Sequence, residues 1–304
     1  METGLKTILF LQRLKNIGPV KINTILGEKS DPNDYVGIKE LVQIQYGIKD
    51  EELHAAEEYS KVQAERILQV PGLKAITIFD SDYPTKLTDL GKQRPPLIYV
   101  KGNAQLLHAE GLAVVGTRSP TLEAIQLGEH FVRNVLSVSP DLVIISGLAV
   151  GCDSIAHCVA LENGGKTLAV LPSGIDVITP NSNSRLAERI LESDGCLCSE
   201  YGPGIQPSKE KFVRRDVLIA AVAGCTAIIQ CSTKSGTMHT ADAAIKLKRH
   251  LGCLAFNGMG EEFEGNKYLL SQNKATQISQ ASDVEGFLRS VEMDIPKDEQ
   301  LSLF

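Results

Sequence analysis

The sequence has no tryptophan, and aromatic residues make up only 5% of its 304 residues. Nucleic-acid bases commonly stack on aromatic side chains, so a chain with few of them is expected to bind a single strand mainly through phosphates. Long apolar runs are missing too, since no stretch approaches the roughly 20 residues that a membrane-spanning helix needs. The apolar run near the N-terminus stops before Gln12 and is too short for a signal peptide. These absences predict a cytoplasmic protein without a membrane segment.

Metal-binding patterns are scarce as well. The seven cysteines include only one close pair, Cys196 and Cys198, whereas zinc sites typically need two such pairs or suitably spaced histidines. An odd number of cysteines in apolar segments indicates buried free thiols in a reducing compartment. The sequence therefore predicts no metal site and no cofactor.

The net charge of −6 excludes a general attraction of the whole surface to nucleic acids or anionic membranes. The charge is unevenly distributed, because residues 205–250 contain eight Lys or Arg residues against three acidic ones. A local basic segment thus lies inside an acidic protein.

Hydrophobic patterning divides the chain into a front part and a main part. Residues 1–78 are predicted to be a small helical domain, in which the turn at Gly18 fits either a helix-hairpin-helix element or an ordinary helical bundle. Residues 79–110 are predicted to be a proline-rich connector with an edge strand, and residues 291–304 a C-terminal tail. Over 111–290, short apolar runs alternate with helical stretches. This alternation predicts an α/β domain with a mostly parallel sheet and helices on both faces.

Small and hydroxyl-bearing residues follow almost every predicted strand, and ligands of parallel α/β sheets bind beyond these carboxyl ends. Such turns are often rich in glycine and serine for conformational reasons alone. Several similar turns with basic residues among them favour a groove whose amide and hydroxyl groups bind anions. The residues predicted to form it are Gly116, Thr117, Arg118, Ser146, Gly147, Ala149, Gly151, Gly174, Lys234, Ser235, Gly236 and Thr237.

The segment that begins at Ser146 also carries Asp153 and His157. The G-x-S-x-G turn that activates a serine nucleophile is absent, so no catalytic residue is predicted. Asp153 and His157 lie four residues apart at the start of a predicted helix, where a hydrogen bond between them would brace the loop. Arg214 and Arg215 lie in the first turns of another predicted helix. Two interpretations fit the pair: a solvated basic face or a contact with phosphate. Their place near the carboxyl edge of the sheet favours phosphate.

The chain resembles the DNA-processing protein A (DprA/Smf) family in the order and spacing of VVGTRSPT, ISGLAVGCDSIAHCVALENGG, CSEYGPG, KFVRRDVLIA and SGTMHTADAA. The resemblance implies an extended Rossmann-like sheet in a protein that binds single-stranded DNA as a homodimer. It also implies that the protein helps to load the RecA recombinase during natural transformation or related DNA processing, without catalysing a reaction. The residues to which it assigns phosphate contacts or loop positions are Arg118, Ser146, Gly147, Ala149, Gly151, Asp153, Gly174, Arg214, Arg215, Ser235, Gly236 and Thr237.

The chain departs from the family pattern at several positions. Asp216 and Val217 replace an Asn and an Arg of the basic helix, Gln230 replaces a Glu, and Phe256-Asn257-Gly258 replaces a Pro-Gly turn. The family's frequent C-terminal winged-helix domain is also expected to be missing. Because a carboxylate repels phosphate, Asp216 is expected to weaken DNA binding.

The departures leave two other functions open. The same fold can hold a nucleotide sensor or a nucleotide-cleaving enzyme, although KSGTMHTADAA stands where nucleotide-cleaving relatives have P-G-G-x-G-T. The departures also permit a role in protein interaction alone, with a groove that no longer binds a ligand. No residue of the chain points to that role directly.

Overall fold

The computed structural model describes residues 2–28, 31, 33–256, 258 and 260–292. Asn257 and residues 293–304, which belong to features noted in the sequence, lie outside the described residues. The chain divides into two compact units. The first unit contains the described residues up to His108 together with Ala169–Arg215. The second contains Ala109–Leu168 and the described residues from Asp216 onward.

Four helices open the first unit: α1 (Glu2–Arg13), α2 (Pro19–Glu28), α3 (Tyr35–Tyr46) and α4 (Asp50–Gln69). Proline suits the first position of α2 because its missing N–H has no partner there. Gly47 ends α3 in the left-handed conformation, with φ 65°, and donates its amide to the carbonyl of Gln43. The apolar stripe of α1, which includes Ile8, is buried in one core with Leu97 and Tyr99.

Nine strands form a sheet with the order β1-β2-β6-β5-β4-β3-β7-β8-β9. The strands are β1 (Leu73–Thr77), β2 (Leu97–Gly102), β3 (Gly111–Val115), β4 (Val143–Ser146), β5 (Thr167–Leu171), β6 (Cys196–Ser199), β7 (Cys225–Ile228), β8 (His250–Leu254) and β9 (Thr276–Ile278). The remaining helices are α5 (Leu122–Val138), α6 (Cys152–Glu162), α7 (Ser184–Glu192), α8 (Lys209–Val222), α9 (Thr237–Lys246), α10 (Glu264–Ser271) and α11 (Ala281–Glu292).

In the first unit, β2 pairs antiparallel with β1 on one side and with β6 on the other. The sequence predicted β2 to be an edge strand. The edge position belongs instead to β1, a strand that lies within residues 1–78, which were predicted to be helical. β1 has five residues, and its partly buried Leu73 and Ala75 pack against the core of the N-terminal helices. A strand this short, directly after a 20-residue helix, leaves little periodicity to detect.

In the second unit, the strands β4, β3, β7, β8 and β9 are all parallel. Alternate residues of β3, Leu112 and Val114, are buried in a core with residues of α5 and α6. Helix α9 packs against β7 and β8 with Ala241 and Ala244 buried. The predicted class is thereby confirmed: an α/β fold with a mostly parallel sheet, helices on both faces and a small helical part in front.

Within the described ranges, no helix combines the length and the apolar character needed to cross a membrane. None of the seven cysteines forms a disulfide, and all except Cys158 are buried. Burial raises the pKa of Cys152, Cys196 and Cys231 to about 12, so these thiols stay protonated at neutral pH.

Candidate anion-binding surface

Three loops of the second unit leave the carboxyl ends of the neighbouring strands β4, β3 and β7; they comprise residues 147–151, 116–121 and 229–236 and are named here the strand-exit loops. Gln230 joins two of them. Its carbonyl accepts the amide of Thr117 at 2.7 Å, and its Oε1 accepts the amide of Thr121 at 3.0 Å. The hydroxyl of Thr121 accepts the amide of Ala124 and caps α5. The departure at Gln230 is therefore a structural contact of the site.

Two glycines let the loop after β3 approach the start of α6. Gly151 has φ 81° and ψ −130°, and a Cβ there would lie 2.5 Å from the carbonyl oxygen of Thr117. A Cβ at Gly116 would lie 2.5 Å from Sγ of Cys152. The amide of Cys152 donates to the carbonyl of Thr117 at 3.1 Å. The backbones of the two loops thus pack directly on each other, and only glycine fits at these points.

The loop after β4 is fixed from within. Oδ2 of Asp153 accepts the amide of Ala149 at 3.3 Å, and the hydroxyl of Ser154 donates to the carbonyl of Ala149 at 2.7 Å. A carboxylate in the first turn of α6 is also favoured by the helix dipole. The hydroxyl of Ser146 is buried and donates to the carbonyl of Val114 at 2.7 Å, so it holds β4 to β3. Gly147 is buried beside it.

His157 is buried on α6 and connects this helix to two strands. Its Nδ1 lies 2.7 Å from the hydroxyl of Thr167, and that hydroxyl donates to the carbonyl of Ile144 at 2.6 Å. Because the hydroxyl proton is directed to Ile144, the ring nitrogen is the donor to Thr167. The hydrogen bond expected between Asp153 and His157 stays a prediction.

The loop after β7 leads into α9 through Ser235, Gly236 and Thr237. The hydroxyl of Ser235 accepts the amide of Thr237 at 3.2 Å and lies 3.0 Å from its hydroxyl. Lys234 precedes them and is exposed, as is Arg118 on the loop after β3. Two strand-exit loops of the second unit therefore each carry an exposed cation next to amide and hydroxyl groups.

Asp216 belongs to α8, and its side chain lies close to the start of α9. Its Oδ2 is 3.8 Å from the position that a Cβ on Gly236 would occupy. A carboxylate is favoured at the positive end of a helix, and an incoming anion would compete with it there. The acidic departure noticed in the sequence is thus close to the predicted anion-binding residues of the second unit.

Gly174 belongs to the first unit, where it packs against another loop. Its amide donates to the carbonyl of Ile205 at 2.7 Å, and a Cβ on it would lie 2.5 Å from the carbonyl oxygen of Gly202. The neighbouring Asp176 accepts the amide of Gly204 at 2.8 Å. Gly174 is buried by these contacts, so its observed role is close packing of two loops.

Arg214 and Arg215 also belong to the first unit, and their expected contact with phosphate stays a prediction. The guanidinium of Arg214 binds both carboxylate oxygens of Glu200, with Nε at 3.0 and 2.9 Å and Nη2 at 2.8 Å from Oε1. It also donates to the carbonyl of Gln93. Arg215 is only 4% exposed, and its guanidinium lies 5.8 Å from the ring centre of Phe212. Arg215 is therefore buried within the unit, whereas the side chain of Arg214 is 22% exposed and its charge is shared with Glu200.

Sequence reasoning missed the pairing of Glu200 with Arg214. The side chain of Glu200 is only 8% exposed. Burial raises its pKa, and Arg214 acts in the opposite direction by its charge and its hydrogen bonds. The connector is attached nearby, because Nδ2 of Asn23 donates to the carbonyls of Lys92 and Arg94 on either side of Gln93. An acidic residue directly after a buried strand was the available signal, since such a residue needs a partner.

The chain is similar in sequence to proteins of DNA processing. A model of the family described as DNA recombination-mediator protein A matches residues 74–289. DNA processing protein DprA of Streptococcus pneumoniae is 34% identical over 210 residues, which cover 69% of this chain and 72% of that protein. Protein Smf of Synechocystis is 32% identical over 213 residues, or 67% of this chain and 52% of that protein. The chain thus spans only about half of the second relative.

Two solved structures are similar in fold. The crystal structure of the Streptococcus pneumoniae protein has a TM-score of 0.68 and 28% identity, with 93% of each chain covered. A structure of DNA processing protein A from Helicobacter pylori, reported for its single-stranded DNA binding mode, has a TM-score of 0.63 and 28% identity. It covers 71% of this chain and 97% of that one.

Proposed function

This chain belongs to the DNA recombination-mediator protein A family, and from that premise we propose that it binds single-stranded DNA through phosphates at the strand-exit loops of its second unit. The observation that carries the proposal is the joined pair of loops after β3 and β7, fixed by Gln230, which present the exposed cations Arg118 and Lys234. Backbone amides at the carboxyl edge of a parallel sheet favour anions. The Helicobacter pylori relative, reported for its binding of single-stranded DNA, supports the choice of ligand.

The proposed role is to hold a strand for a recombinase of the RecA type, without catalysis. For the recombinase and for a homodimer, the support is family membership. Asp153 and His157 have structural partners, Ala149 and Thr167. Their hydrogen bonds favour a loop-bracing function over an acid–base one.

The binding itself is tested by fluorescence anisotropy of labelled oligo(dT) across a range of salt concentrations. Affinity is expected to fall steeply with salt, and the slope of log K against log salt counts the phosphates engaged, at about 0.7 per phosphate for a single strand. Folded protein that fails to bind oligo(dT) at low salt would contradict the proposal. Thermal stabilisation by a mononucleotide, without any effect of oligo(dT), would favour a nucleotide sensor instead.

Arg118 is predicted to contribute one phosphate contact. Arg118→Ala should weaken binding about tenfold at low salt and reduce the salt slope by about 0.7, whatever the base sequence. Arg133→Ala is the matched control, since Arg133 is an exposed arginine of the same unit that pairs with Glu129 at 3.1 Å. An equal loss in the two variants would show a general charge effect and count against the assigned contact.

Asp216 is predicted to oppose binding. Asp216→Asn should raise the affinity for oligo(dT) about three- to tenfold at low salt, because it removes a negative charge beside the start of α9. Asp242→Asn makes the same change on an exposed residue of α9 and should have little effect. An unchanged affinity of the Asp216 variant in the same titrations would place the DNA away from α9.

A further inference from the structure

A strand held by its phosphates also presents bases, and the strand-exit loops contain no aromatic residue on which these could stack. Two large aliphatic side chains beside the loops are exposed instead. Leu122, the first residue of α5, is 80% exposed, and Val150, in the loop after β4, is 40% exposed. One exposed leucine on a protein surface needs no explanation. The position of these two residues, however, is informative, because both lie at the proposed anion-binding surface.

Each residue adjoins a contact that fixes the loop after β3. Val150 directly precedes Gly151, which packs against the backbone of Thr117 and Arg118. Leu122 directly follows Thr121, whose amide is held by Gln230. Val150 is thus next to the residue that packs on Thr117 and Arg118, and Leu122 follows the other end of the same loop, so both attachment points are fixed by hydrogen bonds and close packing.

We propose that Leu122 and Val150 form an aliphatic platform that contacts the bases of the strand whose phosphates lie at Arg118. The inference rests on the proposed function and adds the residues that contact bases. An aliphatic surface has no hydrogen-bonding groups and so tolerates every base. It gains most from the methyl group of thymine, which commonly makes apolar contacts with proteins. Base contacts of this kind are expected to contribute less to the binding free energy than aromatic stacking does.

The test compares three labelled oligonucleotides of one length: oligo(dT), oligo(dU) and an abasic strand. The unchanged protein should bind them in that order, with oligo(dT) about two- to threefold tighter than oligo(dU). Leu122→Ser and Val150→Ser should each weaken oligo(dT) binding about fivefold while leaving the salt slope and the affinity for the abasic strand unchanged. Leu68→Ser is the matched control, because Leu68 is 86% exposed on α4 in the first unit; its affinity should equal that of the unchanged protein.

Circular dichroism of each variant verifies folding, which is expected to be intact because the substituted side chains are exposed. The platform is refuted if the unchanged protein binds the abasic strand as tightly as oligo(dT). It is also refuted if both serine variants bind oligo(dT) as the unchanged protein does. Failure of the unchanged protein to bind any of the three strands would instead overturn the proposed function, and the platform with it.

Discussion

Replacing Arg214 with methionine is expected to lower the free energy of unfolding by about 3–5 kcal/mol at neutral pH. The cause is the carboxylate left behind, because the side chain of Glu200 is only 8% exposed and Arg214 binds both of its oxygens. The variant also loses the hydrogen bond to the carbonyl of Gln93. Urea unfolding followed by circular dichroism measures the change.

The loss should depend on pH in a direction fixed by Glu200. Burial raises the pKa of this carboxyl in the folded protein, and Arg214 is the group that lowers it. Without Arg214 the folded-state pKa rises further above the unfolded value. A raised carboxyl pKa costs stability as the pH increases from the unfolded to the folded pKa, and the cost is fully present above the latter. The deficit of Arg214→Met should therefore be largest at neutral pH and shrink as the solution is acidified.

Two variants make this result specific. Glu200→Gln added to Arg214→Met should recover much of the stability, because the buried charge is removed with its partner. Arg133→Met, which breaks an exposed pair with Glu129, should cost at most about 1 kcal/mol. An Arg214→Met protein with unchanged stability at every pH would show that Glu200 is solvated in solution.

Replacing Gly151 with alanine is expected to lower the free energy of unfolding by at least about 2 kcal/mol and to weaken oligo(dT) binding more than tenfold. The conformation of Gly151, with φ 81° and ψ −130°, is one that residues with a Cβ rarely adopt. The added methyl would also lie 2.5 Å from the carbonyl oxygen of Thr117 and 2.7 Å from that of Arg118. The loop that carries Arg118 must then move.

Substitution of Gly164 separates the cost of a Cβ at positive φ from the cost of its close contact with another loop. It lies in the same unit with φ 72°, but a Cβ there would meet no atom within 4 Å. Gly164→Ala should therefore show only the conformational cost, about 1 kcal/mol, and bind oligo(dT) normally. Equal losses of unfolding free energy and equal affinities for oligo(dT) in the two alanine variants would show that the close approach of Gly151 to Thr117 does not contribute to stability or binding.

The fold was predictable because its signals are local. Buried parallel strands appear as unbroken apolar runs, and the helices between them have amphipathic periodicity. The apolar runs 112–116 and 142–146 of the sequence correspond to β3 and β4 within one residue at each end. β1 was missed because it forms a strand by pairing with β2, and β2 comes about twenty residues later in the chain.

The site was predictable only in part, because partners in space are not visible in sequence. The glycines after β3 and β4 were identified, yet the atoms that require them, on Thr117 and Cys152, come from the neighbouring loop. For Arg215 a signal was available. It shares one face of α8 with Leu218, Ile219 and Val222 at the spacing i, i+3, i+4 and i+7, and all three are buried. A charge on that face is expected to lie inside the protein, however basic its neighbours.

The ends of the sheet have a consequence for self-association. β1 exposes Lys74 on a strand of five residues, and β9 has only three residues, of which Thr276 and Gln277 are exposed. Short border strands with a lysine or polar side chains discourage another chain from adding itself by backbone hydrogen bonds. Two copies of this protein are therefore not expected to merge their sheets into a continuous one. A homodimer would have to join through helices or loops, where single substitutions can separate the copies without disturbing the strands.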